Sequence, residues 1–235
     1  MSSSYLIFSL WLPLIALCSA QTMPPFDGEK LIYSVNWPSG LSLGEAQIES
    51  RRTVAGEGSS AGWRFEFRLE AAIPGFAATD QIRSQADGDF CSIEFEKDSV
   101  HGKRKAREKI SFDPAKGMAT RQTIGGGSSQ IASGACGRDA LAYLYHVRRE
   151  LAQGRLAGAE PVFFGAAYQM SIQYGGAQRV RTGDTLVDAD LLNFTGKGPA
   201  STFSFEVLFA RDGVRTPLLV KVPLAMGVFT MELVR

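Results

Sequence analysis

Beyond its first twenty residues, this chain has one stretch, Gly137 to Gly154, whose apolar residues recur at helical spacing, while the segments on either side alternate with the period of a strand. On a helical wheel, Ala140, Leu144, Val147 and Leu151 form one stripe, flanked by Leu141 and Tyr143, with His146, Arg149, Glu150 and Ala142 opposite. Asp139 can accept the first free backbone N–H groups, and Gly154 suits a left-handed stop. The spacing predicts one helix over Asp139–Gln153, roughly 21 Å long at 1.5 Å per residue.

Strand patterns surround it. Leu31, Tyr33, Val35 and Trp37 share one face. In the clearest strand Trp63, Phe65, Phe67, Leu69 and Ala71 face one way, and Arg64, Glu66, Arg68 and Glu70 the other. Tyr168, Met170, Ile172 and Tyr174 alternate likewise, with Gly175-Gly176 reading as a hairpin before Gln178–Arg181. Phe203, Phe205, Val207 and Phe209 line another face. About twelve short strands, close turns and no solenoid repeat favour antiparallel neighbours. The expected fold is mainly β: a single large curved antiparallel sheet, half-barrel or barrel-like, wrapped around one internal amphipathic helix. The helix stripe should meet the faces of Trp63–Ala71 and Phe203–Phe209, because several continuous aromatic faces need an apolar cover.

Residues 6–17 are an apolar run interrupted only by Ser9 and Pro13, ending in the small residues Cys18-Ser19-Ala20. The run is short for a membrane span and fits a secretory leader, residues 1–20, cleaved before Gln21. An uncleaved anchor and a lipid attached through Cys18 are the alternatives. Residues 21–235 then form one β-rich domain in the periplasm or outside the cell, with no transmembrane segment after cleavage. With 25 basic and 24 acidic side chains the net charge is +1, which argues against a general nucleic-acid partner. Two cysteines remain, Cys91 and Cys136. In an oxidising compartment they can pair; two buried free thiols are the other reading.

Catalytic raw material is scarce. His101 and His146 are the only histidines, and no Gly-x-Ser-x-Gly elbow occurs. Cys91 and Cys136 each precede a histidine by ten positions, a spacing unlike the close ligand pairs of structural zinc sites, so no metal or other cofactor is expected. Glu94 and Glu96 share a strand face, which does not place two carboxylates across a cleft. The Gly125–Ser129 loop lacks the Gly-Lys-Ser/Thr ending of a phosphate loop. Lys103, Lys105, Arg107 and Lys109 form a basic stripe, read either as anion-binding or as a solvated or edge-strand face. Arg148 lies near the apolar stripe, where a cation must snorkel, pair with a carboxylate or meet a ligand.

With these residues in view, the chain resembles the bacterial exported family called domain of unknown function 3108. The likeness rests on Pro25-Phe26, Gly28-Glu29, Leu31, Tyr33, Val35, Trp37 and Gly44, then Phe112-Asp113. Arg138-Asp139, Leu141, Leu144-Tyr145 and Arg148 follow, with Arg215-Thr216-Pro217 and the closing Gly227–Leu233 stretch. Ala140 and Ala142 stand where a more polar helix start is expected. The resemblance implies a β-rich envelope or secreted protein without assigned chemistry. In architecture alone the chain is also similar to lipoprotein-carrier half-barrels, whose curved sheet shelters acyl chains around a helix.

The functional expectation is a non-enzymatic binding module for an apolar or amphipathic, lipid-like envelope ligand. An envelope structural or interaction protein with a solid core and a protein partner is the alternative, and a hydrolase comes last. A cavity would have walls from Tyr33, Trp37, Phe65, Phe67 and Tyr143, with Arg148 at its rim facing an anionic headgroup. The competing account has Arg148 paired with an internal carboxylate and the aromatics filling the core.

Overall fold

Alternation becomes sheet almost throughout. The computed structural model describes residues 25–54 and 61–234; the leader assigned to residues 1–20 and most of the Ala55–Ala61 turn lie outside these. The first eight strands are β1 (Lys30–Asn36), β2 (Ser42–Thr53), β3 (Gly62–Ile73), β4 (Phe76–Asp87), β5 (Ser92–His101), β6 (Arg104–Asp113), β7 (Met118–Thr123) and β8 (Ser128–Ala132). Then come β9 (Arg138–Asp139), the helix α1 (Ala140–Ala152), β10 (Glu160–Phe164), β11 (Ala166–Thr182), β12 (Thr185–Lys197), β13 (Thr202–Ala210), β14 (Pro217–Leu224) and β15 (Gly227–Leu233).

The fifteen strands among the described residues belong to one sheet, ordered β8-β7-β6-β5-β4-β3-β2-β1-β15-β14-β13-β12-β11-β10-β9. It is a double meander. β1 and β15 pair at the centre, Tyr33 against Leu233 and Asn36 against Thr230, and each half steps outward to its own edge. The edges are joined by Ser133–Gly137, a reach of at most roughly 20 Å, so the sheet must curl until they approach. It does not close. The Ser92 amide donates to the Gly137 carbonyl at 2.8 Å, holding the connection against β5. Cys91 and Cys136 are joined beside it, their Cα atoms 4.8 Å apart.

The expected curved sheet around a single helix is therefore present, with three differences of detail. The sheet is mixed, because the two-residue β9 runs parallel to β10. Its strands outnumber the expected dozen: part of the Gly125–Ser129 loop belongs to β8, and β10 had no periodic signal of its own. Gly175-Gly176 is no hairpin. β11 runs through it with a bulge between Tyr174 and Gly176, where Gly176 holds φ +105°, and the chain turns instead at Gly183-Asp184.

The Asp139 carboxylate caps α1, accepting from the Leu141 and Ala142 amides at 2.9 and 3.2 Å, and Gly154 stops the chain at φ +74°. The single apolar stripe is too narrow a description. Ala142, Tyr145 and Arg148 are buried as well as Leu141, Tyr143, Val147 and Leu151, while Leu144 is only half-buried. The reason is enclosure. One side of α1 meets the β1–β6 half through Tyr145, against Phe65 and Phe95; the other meets the β10–β13 half through Val147 and Leu151, against Leu192 and Phe209. Fully burying one such side chain is worth roughly 1.5–3 kcal/mol, so a helix with two apolar sides is held inside the curl and not on it.

The basic stripe resolves into ordinary surface chemistry at two of its members. Arg107 pairs with Asp98, and Lys109 with Glu94 and Glu96, across β5 and β6. β6 lies between β5 and β7, so the stripe does not guard an edge.

Candidate functional site

The two sides of α1 differ in how they are filled. On the β1–β6 side the interior is solid and built around a cation. The Arg148 guanidinium is wholly buried, donating at 2.6 Å to each carboxylate oxygen of Glu29. Its Nε donates to the carbonyls of Val214 and Arg215. Arg215 holds φ +53°, unusual for a residue with a side chain, and that conformation accompanies the carbonyl it turns toward Arg148. The rings of Phe26 and Tyr145 lie 4.7 and 4.9 Å from the guanidinium carbon. The Tyr145 hydroxyl donates to Glu29 as well, at 3.0 Å.

Most of the wall expected from sequence lies in this filled region. Tyr33 is fully buried and donates to the Pro217 carbonyl at 2.8 Å; burial pushes its phenol above the ordinary range. Phe65 stacks on Tyr145 with ring centres 4.2 Å apart, and Phe67 packs against the same cluster. Trp37 stands edge-on to Phe229 at 4.9 Å, near the β1–β2 turn. Arg148 sits at no rim: its charge is matched by an internal carboxylate, leaving its fork no free edge for a headgroup. Tyr33, Phe65 and Phe67 fill a core because the curl brings β3 and β4 directly onto the helix.

Tyr143 is the exception. It faces the other half, where α1 and the sheet do not meet completely. An open groove of about 390 Å³ lies between the start of α1 and β10–β13. Ala140 and Tyr143 form its helix wall, Val162 and Phe164 one sheet wall, and Tyr168, Met170, Phe203 and Phe205 the other. Its lining is almost wholly apolar. The one side-chain polar atom that is both buried and unpartnered among these residues is the Tyr143 hydroxyl, which burial also holds above the ordinary phenol range. Such a hydroxyl nearly always has a partner.

Sequence reasoning could name Phe203 and Phe205 as one face of a strand, but not which half of the sheet would stay open. Gly196 and Gly198 contribute: a Cβ at Gly196 would run into Phe203 and Met170, and one at Gly198 into the Tyr168 ring. Glycines at these two positions thus leave room for the Phe203 and Tyr168 rings, which meet edge-on.

Behind Tyr143 lies a polar group of three. Arg138 donates to Glu160, and the His146 ring stands 3.8 Å from the same carboxylate. Burial, reinforced by Arg138 and Arg149, lowers the His146 pKa to about 4, so the imidazole is neutral at physiological pH. Burial also raises Glu160. His101 is exposed against Asp80, and among the described residues neither histidine is hydrogen-bonded to a hydroxyl or thiol. The two cysteines are bonded to each other and not disposed toward zinc. No cluster of metal-ligating side chains occurs among the described residues, nor any helix long and apolar enough to cross a membrane. The charged clefts over β3–β6 are formed by opposed ladders such as Glu66 with Arg68 and Arg83, which satisfy one another.

No curated protein matches the chain. Among solved structures it is similar to a β-barrel-like protein of domain of unknown function DUF1849 from Brucella abortus, at 11% identity and a TM-score of 0.62, covering 89% of this chain and 97% of that one. That is a likeness of fold. A "putative lipoprotein" from Parabacteroides distasonis aligns over 90% of this chain and 96% of its own at 6% identity, with a TM-score of 0.33, too low to build on. The family model described as Protein of unknown function (DUF3108) matches residues 32–234, and the chain belongs to that family.

Proposed function

We propose that the protein binds an apolar or amphipathic ligand of the cell envelope, of lipid type, in the groove between α1 and β10–β13. The observation that carries the reading is the groove itself: about 390 Å³, lined by apolar side chains, with the one unpartnered hydroxyl of Tyr143. Ligand sites have this character, apolar walls and a few polar groups that fix orientation. A hydrocarbon segment would lie along Phe164, Met170 and Phe205, and an ester, hydroxyl or carboxyl oxygen would meet the Tyr143 hydroxyl, which is buried in the free protein, once the ring shifts toward the ligand. The reading is of a carrier or sensor, not of an enzyme, and it belongs with export to the periplasm or beyond. Mass spectrometry of organic extracts from protein purified out of the periplasm tests it. Co-purifying lipid that disappears in Ala140→Phe, a substitution that fills the helix wall, is the expected result. Clean extracts from the parent chain, and no uptake of added long-chain lipid, would leave the solid-core interaction protein as the better reading.

A further inference from the structure

The strand order sorts the turns of this protein into two ends of the sheet, and the ends differ in chemistry. At one end lie the turns after β1, β3, β5, β7, β10, β12 and β14. None contains an aspartate or glutamate. At the other end lie the turns after β4, β6, β11 and β13, each containing or bordering one, Asp89, Asp113, Asp184 and Asp212, together with the acid-free connections that lead into β9 and β10.

Large apolar side chains stand in solvent at both ends of the sheet, Leu186 and Leu156 among those at the opposite end, and the acid-free end joins its own to unpaired cations. Leu41 is 65% exposed, Phe76 47%, Ile124 69%, Leu224 53% and Met226 67%, each in or beside a turn. The turns are neighbours in space: a Cβ on Gly227 would strike Pro38, and one on Gly102 would touch the Phe76 ring. Between the Phe76 and Ile124 turns, Lys103, Arg104 and Lys105 are exposed, and none pairs with a carboxylate among the described residues. Lys197 stands exposed before the turn leading to Phe203. That last turn borders the groove, since Phe203 lines it and is itself 38% exposed.

We propose that this end of the sheet docks on a lipid bilayer bearing anionic headgroups. Apolar side chains on turn tips can enter the headgroup–acyl boundary while neighbouring cations pair with lipid phosphates. The absence of acid from every turn at this end, with Lys103, Arg104, Lys105 and Lys197 unpaired among the described residues, is what charge complementarity to such a surface requires. A bilayer is favoured over a second copy of the chain because the unpaired charges in and next to these turns, Lys103, Arg104 and Lys197, are all basic, while the unpaired Glu45 and Glu70 lie further along β2 and β3. The proposal rests on the exposed turns and not on what the groove holds; docking would place the groove mouth against the source of an apolar ligand.

Co-sedimentation with vesicles separates the possibilities. The parent chain should pellet with vesicles of equal parts phosphatidylcholine and phosphatidylglycerol at low salt, and far less with phosphatidylcholine alone. Leu224→Ser with Met226→Ser should lower binding to the mixed vesicles about ten-fold, and so should Lys103→Glu with Arg104→Glu. Asp184→Asn, at the opposite end, should change nothing. Circular dichroism of each variant establishes that the sheet is intact. A parent chain that stays in the supernatant, a loss confined to the charge pair, or a dimer in light scattering that the tip variants abolish without any vesicle binding would each overturn the proposal. Lipid extraction with Ala140→Phe reads the groove separately, so either conclusion can fail without the other.

Discussion

Glu29 and Arg148 meet through two hydrogen bonds of 2.6 Å, although 119 residues separate them in the chain. The pair ties the segment just before β1 to the middle of α1, and the Val214 and Arg215 carbonyls tie the β13–β14 turn to the same guanidinium. Three distant pieces of chain thus share one buried charge. Removing one partner leaves the other buried and unmatched, which costs about 3–5 kcal/mol. Arg148→Met and Glu29→Gln should each lower the urea midpoint accordingly. The double variant Glu29→Gln/Arg148→Met should recover part of that loss, and a denaturant titration checks the coupling.

Cys91 and Cys136 close a loop with a sequence separation of 45 and fasten the β4–β5 turn to the segment that leads into α1. On the chain-entropy account a loop of that length contributes roughly 4 kcal/mol. Cys91→Ser with Cys136→Ser should lower stability by about that amount in denaturant, with the strand spectrum retained. The capping of α1 should survive, because Asp139 is held independently by Ser84 and Ser92 at 2.6 Å.

The acid side of the stability profile should carry the signature of His146. Its pKa is lowered from 6.5 to about 4 by burial first, then by Arg138 and Arg149. Between those values the unfolded chain takes up a proton that the folded ring refuses, so stability falls as pH falls through that window. Glu160, raised by burial, works in the opposite sense and offsets part of the loss. Comparing thermal midpoints of the parent and His146→Gln from neutral pH down to about 4 isolates the imidazole. The parent should lose more than the variant.

Tyr143 offers a sharper contrast. Its hydroxyl is buried without a protein partner, so Tyr143→Phe should leave the free protein as stable as before or raise it by up to about 1 kcal/mol. The same change should weaken binding of an acyl ligand whose oxygen meets that hydroxyl. A purely structural tyrosine would show only the first effect.

How far the sequence reveals this fold depends on whether the deciding contacts are local. The alternation of Trp63 to Ala71 and of Phe203 to Phe209, the Asp139 cap and the Gly154 stop each follow from residues a few positions apart, and they led to the curved sheet around one helix. Local spacing could not tell that Gly176 would bulge a continuous strand instead of ending it, because both uses draw on the same positive φ. Nor could a wheel foresee that Ala142 would be buried, since that depends on a sheet that encloses the helix on two sides. The site was half legible for the same reason. Tyr33, Phe65 and Arg148 have the composition of an apolar pocket with a polar anchor, but Glu29 lies far away in sequence and converts that set into filled core. Many of the residues that carry the resemblance to the family, among them Phe26, Glu29, Tyr33, Tyr145 and Arg148, converge on this one cluster. They mark how the fold is held together. The groove lies on the other side of the helix.

Titration of the purified protein with a fluorescent long-chain fatty acid tests the central claim most directly. The account predicts saturable binding at one site per chain, abolished by Ala140→Phe and weakened by Tyr143→Phe, with Phe67→Leu on the filled side binding as the parent does. Saturable binding that Ala140→Phe leaves intact, or no saturable binding at all, would contradict it.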